Sequence, residues 1–246
     1  MKKILIPGAN GRIGCELTKY FLKKKLGVIA IDKDFSKLNS IKTPLLIKIK
    51  KDLSIEKNYK KIKKIIKPFK DEIIGIIYCL YPTTKSWGLE FEKLNSKHLK
   101  KNLFYQLGMP ILFLKNIYEF FFEINNKISI IMISSIQGTS APKFHHYKKL
   151  NMSSPIEYSA CKSGIISITT YLEKYCQKSN IRINCISPGG IFDKQNKQFV
   201  KRYRNDCKSK GLLDPSDICG VADFLISDAS EYIRGQNIII DDGWSL

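Results

Sequence analysis

The feature that most constrains this chain is the regular return of short, unbroken apolar runs separated by longer stretches of helical periodicity. The runs are Lys3–Ile6, Gly27–Ile31, Leu45–Ile49, Ile73–Cys79, Ser129–Ser134, Ile181–Ile186 and Asn237–Ile240. They are rich in isoleucine and do not alternate with polar residues, which is how strands covered on both faces read. Between them lie helical stretches, roughly Ile13–Lys25, Ile55–Lys67, Leu99–Phe122, Ile156–Lys178 and Pro215–Ser227. Strand and helix in alternation build βαβ units with right-handed crossovers. The expected fold class is α/β: a doubly wound parallel sheet of about seven strands, in a single three-layer αβα domain over residues 1–246.

Composition removes several alternatives. The opening Met1-Lys2-Lys3-Ile4-Leu5-Ile6 stops at Pro7-Gly8, too soon for a signal peptide. No stretch approaches the roughly 20 apolar residues of a membrane span, so no membrane is expected. The seven cysteines are scattered without a CxxC pair, and the three histidines lack ligand spacing to them; free thiols, no metal and a cytoplasmic location are the reading. The formal net charge of +20 invites a nucleic-acid partner. Yet only five of the 42 basic residues are arginine, and lysines cluster as in Tyr59-Lys60-Lys61-Ile62-Lys63-Lys64, a solvated helix face. No nucleic-acid partner is expected.

Ligands of such sheets sit beyond the carboxyl ends of the strands. The first strand ends in Pro7-Gly8-Ala9-Asn10-Gly11-Arg12-Ile13-Gly14 and leads into a helix. Glycines at 8, 11 and 14 allow a tight turn and close approach of a pyrophosphate to the helix N-terminus, the mark of a Rossmann-type fold. Asp32, closing the second strand, suits both hydroxyls of an adenosine ribose and repels a 2′-phosphate, so NAD is favoured over NADP. Lys33 partly offsets that repulsion and Asp34 restores it. Asp52, past the third strand, is a candidate for the adenine edge.

Tyr158-Ser159-Ala160-Cys161-Lys162 places a phenol and an ammonium one helical turn apart. A free tyrosine has a pKa of about 10, and a neighbouring ammonium stabilises its phenolate. A hydroxyl from Ser135 would hold the substrate oxygen while Tyr158 takes or gives the proton. This spacing alone is common by chance. The order of glycine loop, Asp32, Ile133-Ser134-Ser135-Ile136-Gln137-Gly138, the Tyr158 segment and Ser187-Pro188-Gly189-Gly190 is not.

In that order the chain resembles the short-chain dehydrogenase/reductase family nearly end to end. The resemblance implies an NAD(P)-dependent oxidoreductase, with Ser135, rather than Ser134, Tyr158 and Lys162 as the catalytic set. It implies a cofactor against Gly8, Asn10, Gly11, Arg12, Ile13, Gly14, Asp32, Asp52, Leu53, Cys79, Tyr158, Lys162, Pro188, Gly189 and Ile191. It further implies a homodimer or homotetramer and a substrate lid near residues 191–213.

Four departures qualify it. The loop glycines stand at relative positions one, four and seven, as in the longer sugar-nucleotide members, with Arg12 in the usual middle-glycine place. The usual Asn-Asn-Ala-Gly is Tyr78-Cys79-Leu80-Tyr81. The tetrad asparagine is replaced, Gln106 standing nearest its place and Asn102 one turn earlier. Ser135 and Tyr158 lie 23 residues apart, longer than usual, which marks an insertion near residues 142–154 containing Lys143-Phe144-His145-His146-Tyr147. That insertion either lines a substrate pocket or is a solvated loop. Arg202 and Arg204 in the lid suit a phosphate or carboxylate, so an anionic, sugar-type small molecule is expected. The insertion, the Pro188–Gln195 run and the Asp241–Leu246 ending resemble bacterial oxidoreductases of flagellin-modification and nonulosonic-sugar clusters. Rival readings are a 3-oxoacyl thioester reductase and a catalytically weak nucleotide-binding protein.

Overall fold

A computed structural model of the chain describes residues 1–122 and 127–246. Seven parallel strands form one sheet in the order β3-β2-β1-β4-β5-β6-β7. They are β1 (Lys3–Pro7), β2 (Gly27–Asp32), β3 (Leu46–Lys50), β4 (Ile73–Tyr78), β5 (Ile128–Ile133), β6 (Ile181–Pro188) and β7 (Asn237–Ile240). The helices are α1 (Arg12–Lys23), α2 (Lys57–Ile66), α3 (Ser96–Leu103), α4 (Met109–Phe121), α5 (Ile156–Tyr175), α6 (Lys197–Asn205) and α7 (Cys219–Ile226).

The unbroken apolar strands have a direct cause. Successive side chains point to opposite faces, and each face is covered. Leu5, Ile29, Ile31, Ile76 and Ile130 bury against α2, α4 and α5 through Ile62, Phe113, Ile117 and Ile165. Ile4, Ile6, Val28, Ala30, Ile77 and Ile131 bury against α1 and α7 through Leu17, Phe21, Ala222 and Leu225. Each such aliphatic side chain contributes about 1.5–3 kcal/mol when fully buried. Helix α2 turns Tyr59, Ile62 and Ile66 inward and leaves Lys60, Lys61 and Lys64 exposed, which accounts for part of the basic excess. Among the described residues no helix is long and apolar enough to cross a membrane.

The long expected helix Leu99–Phe122 is broken. Between α3 and α4 lies a π-helical turn at Phe104–Gly108, where the Met109 N–H reaches the Phe104 carbonyl. Pro110 has no N–H to give the Gln106 carbonyl, so the ladder re-forms one residue longer. Pro215–Ile218 is a 3₁₀ turn preceding α7. Helix α6, inside the expected lid, is short and amphipathic, burying Phe199 and Tyr203.

Candidate active site

Beyond the carboxyl ends of β1 to β6 opens one cleft of 1320 Å³. That exceeds the about 300–1,000 Å³ of an ordinary small-molecule pocket, leaving room for a dinucleotide and a substrate. Its lining brings together Gly8, Asn10, Gly11, Arg12, Ile13, Asp32, Asp52, Leu53 and Cys79 with Ser135, Tyr158, Lys162, Pro188, Gly189 and Ile191. Gly14 lies just behind, buried in the first turn of α1.

The nucleotide end is set by backbone. Gly8 has φ +82°, and a Cβ there would stand 2.7 Å from the Cys79 carbonyl carbon, so the loop admits only glycine at that crossing. The Asp32 carboxylate accepts the Asn10 N–H at 3.0 Å and the Lys33 N–H at 2.8 Å, which fixes it at the tip of β2. Asp52 accepts the Ser54 N–H at 2.8 Å. Arg12 reaches across the cleft mouth to pair with Asp193 at the base of the lid. Both side chains are about half exposed, so the pair contributes little stability.

At the other end, Ser134 and Ser135 divide their work. The buried Ser134 hydroxyl donates to the Lys162 carbonyl at 2.7 Å, tying β5 to α5. Ser135 faces the cleft, and its hydroxyl accepts the Gln137 N–H at 3.2 Å. Gly138 lets this turn approach α5, since a Cβ would meet the Lys162 backbone at 2.8 Å. The Lys162 Nζ donates to the Ile133 carbonyl at 3.1 Å. Burial pulls its ammonium down to about 8. Burial raises the Tyr158 phenol, and a hydrogen bond with Ser135 opposes the rise. The depression of that phenol expected from Lys162 does not appear: Ser135 is the group that opposes the rise, and Tyr147 adds to the rise.

Where the family pattern has Asn-Asn-Ala-Gly, an aromatic seat replaces it. Tyr81 and Trp87 meet the Tyr158 ring edge-on, at 5.9 Å and 6.1 Å between centroids. The Lys162 Nζ sits 5.3 Å from the Tyr81 centroid, within cation–π range.

Gln106 does not reach the proton-transfer pair. Its amide donates to the Pro82 carbonyl and so holds the loop that carries Tyr81. The link to α5 runs through Asn102, fully buried, which accepts from Thr84 and donates to Glu157 at 3.1 Å. Glu157 directly precedes Tyr158, is 1% exposed, and its Oε2 has no partner among the described residues. The first turn of α5 favours this anion through the helix dipole. Asn102→Leu is expected to lower stability by about 2–3 kcal/mol, because it strips a buried carboxylate of its donor. Thermal melting checks this, and an unchanged midpoint would remove Asn102 from that role. A charged residue at an inward helical position was the available sequence signal.

The lid arginines point elsewhere than expected. Arg202 donates to the carbonyls of Lys148 (2.6 Å) and His146 (3.2 Å), and Arg204 to that of Ser209 (3.2 Å). Both staple the lid and neither lines the cleft. Cations line the cleft throughout: Arg12, Lys33, Lys37 and Lys51 stand with the acids Asp32, Asp34 and Asp52 on the side of the glycine loop, whereas Lys85, Lys97 and Lys101, with His98, come from the stretch after β4, which adds no acid to the lining. The insertion is mixed: Tyr147 lines the cleft and His146 is buried, while Phe144, His145, Lys148 and Lys149 are exposed. His145, His146 and Asp206 lie with their ligand atoms within 4.8 Å of one another, a set the spacing to cysteines does not reveal. Lys143 stands 3.7 Å from the same Asp206 oxygen, so a built-in cation already neutralises that carboxylate.

Known proteins are similar to this chain in sequence and fold. A family model described as enoyl-(acyl carrier protein) reductase matches residues 89–245. A curated relative, post-translational flagellin modification protein A of Campylobacter coli, is 36% identical over 100% of this chain and 98% of its own length. A solved short-chain dehydrogenase of Leptospira borgpetersenii with bound NAD+ superposes with a TM-score of 0.89 at 30% identity, covering 100% of this chain and 93% of that one. A 4-hydroxyisoleucine dehydrogenase complexed with NADH gives a TM-score of 0.83 at 26% identity, covering 100% and 99%. The relative and the two solved structures span the whole chain and the family model more than half of it, and the chain belongs to the short-chain dehydrogenase/reductase family of oxidoreductases, which act on CH–OH groups.

Proposed function

We propose that this protein interconverts an alcohol and a ketone on an anionic, sugar-type substrate, using NAD(H). The observation that carries the reading is one continuous cleft with the glycine loop and Asp32 at one end and Ser135, Tyr158 and Lys162 at the other. The residues fit a dinucleotide: the loop is bare where a Cβ would collide, and Asp32 stands free of any cation within ion-pair range among the described residues, facing the ribose position. The two NAD-bound relatives support the same cofactor.

The bound nicotinamide supplies or accepts the hydride. Ser135 orients the reacting oxygen. Tyr158, protonated in its buried setting, gives the proton in reduction and takes it in oxidation. Lys162 remains largely charged at neutral pH with its pKa near 8, and its field favours the phenolate when the proton leaves. The lysines that line the cleft after β4 support an anionic group on the substrate. The flagellin-modification relative places its own activity in protein modification, which fits a sugar-building step.

NADH is expected to bind at least about tenfold tighter than NADPH, and Asp32→Ala to shrink that preference. Fluorescence titration with both cofactors tests it; tighter NADPH binding would overturn the Asp32 argument. A panel of sugar phosphates and nucleotide sugars with NAD, read at the NADH absorbance band, tests the substrate class. A 3-oxoacyl thioester reductase is the second reading, favoured by a partial match to a 3-oxoacyl-[acyl-carrier-protein] reductase of Chlamydia trachomatis, 38% identical over 90 residues; NADPH preference would support it.

Exposed Phe104, Ile111, Phe122, Tyr171 and Tyr175 along α4, α5 and the turn before α4 support a homodimer or homotetramer. Seven free cysteines support a reducing, cytoplasmic setting.

A further inference from the structure

The insertion is held against the lid by three independent contacts. His146, fully buried, donates from Nε2 to Asp206 at 2.7 Å. Arg202 takes up the insertion's carbonyls. Tyr147 meets Phe199 of α6 at 5.3 Å between ring centroids. These contacts fix Tyr147 at the cleft wall, where its hydroxyl sits 3.5 Å from the Gln137 Nε2. The orientation of that amide is set from behind, because Ser154 donates to the Gln137 Oε1. At 3.5 Å the Gln137–Tyr147 bond is at the far limit of a hydrogen bond. Ser154 also lies within hydrogen-bond reach of the Tyr147 hydroxyl; burial raises that phenol's pKa and both contacts oppose the rise as donors do, which leaves the Tyr147 O–H to donate to a ligand oxygen. Gln137 is also tied through its N–H to the Ser135 hydroxyl. A row of polar atoms therefore runs from Tyr158 and Ser135 to Gln137 and Tyr147 along one wall. The lid and tail back Tyr147 with a nearly buried aromatic cluster at the cleft margin: Phe199, and Tyr203 stacked on Trp244 at 5.7 Å and 13°, all packed on His146. Polar groups in a row along one wall suit a ring with hydroxyls along one edge.

We propose that Tyr147 is a specificity-determining residue: with Gln137 it hydrogen-bonds a second substrate hydroxyl, on the carbon next to the reacting one. The site thereby selects polyhydroxylated rings over simple ketones and acyl thioesters. This rests on the oxidoreductase reading above and deepens it. A site built to bond a hydroxyl discriminates strongly against the analogue lacking it, because its own polar groups are then left unpaired.

The test is reduction with NADH of 2-hydroxycyclohexanone, cyclohexanone and an acetoacetyl thioester. Each turnover moves one hydride from NADH to the carbonyl carbon and one proton to its oxygen. The parent protein is expected to prefer the hydroxyketone over cyclohexanone by about 100-fold in kcat/KM. Tyr147→Phe is expected to bring that ratio below about tenfold, and Gln137→Met to act in the same direction. Melting temperature and NADH affinity show whether each variant is folded. Equal use of the two ketones by the parent, preference for the thioester, or an unchanged ratio in both folded variants overturns the proposal. So does failure to reduce either ketone by a protein that binds NADH. Failure to bind NADH falls instead on the cofactor reading, and the two failures are thus told apart.

Discussion

Tyr158→Phe is expected to lower kcat by roughly 10²–10⁴-fold while NADH affinity stays within about threefold of the parent. The substitution removes one oxygen and keeps the ring that Tyr81 and Trp87 pack against. It leaves Ser135 in place, so the substrate oxygen keeps one partner and loses its proton donor. The loss should therefore fall on kcat more than on KM. Steady-state rates on the first substrate found, with a parallel fluorescence titration of NADH, decide the matter. Full turnover in the variant would remove Tyr158 from proton transfer.

Lys162→Met is expected to do two opposite things. Activity should fall by at least about 10²-fold, because the charge that favours the Tyr158 phenolate is gone. Stability should rise. Lys162 is buried, and burial takes its pKa from 10.5 down to about 8. At neutral pH the folded state therefore holds a charge that it would shed more readily than the unfolded chain does. The folded pKa lies below the unfolded one, so the unfolded chain binds more protons between them. Stability of the parent accordingly rises with pH between about 8 and 10.5, and the penalty is complete below 8. That penalty is of the order of 3 kcal/mol; losing the bond to the Ile133 carbonyl returns about 1 kcal/mol of it. A net gain of about 2 kcal/mol is roughly 4–8 °C in melting temperature for a chain of this size. The gain should be largest below pH 8 and fade towards pH 10.5. Melting curves of parent and variant across that range check it, and a variant less stable than the parent at neutral pH would contradict the desolvation argument. A lysine that costs stability where it stands fits a residue retained for chemistry.

Much of this site was legible along the chain because its parts are local. The glycine loop is one turn, the Tyr158–Lys162 spacing is one helical turn, and Asp32 closes one strand. The seven strands were legible for the same reason: coverage on both faces leaves continuous isoleucine runs, which a pleat then divides between two cores. Ser135 was separable from Ser134 only through family resemblance; the structure supplies the physical reason, since the Ser134 hydroxyl is used on the α5 backbone.

Features that join distant segments were less legible. Gln106 seemed to stand in the place of a relay residue, yet Pro110 breaks the helix and turns its amide to Pro82. The lid arginines read as anion ligands, yet Arg202 is consumed by three carbonyls of the insertion. In the sequence Tyr147 stood only within an insertion whose role was open, because its position depends on His146 finding Asp206 sixty residues away.

The sequence by itself determined the sheet and located the glycine loop, Asp32 and the Tyr158–Lys162 pair, since each is encoded within a few residues by backbone geometry or a single period. Only the tertiary structure decided what lines the cleft beyond Ser135 and Tyr158. That wall is assembled from the insertion, the lid and the C-terminal tail, and its side chains acquire their roles through which long-range hydrogen bonds are already satisfied.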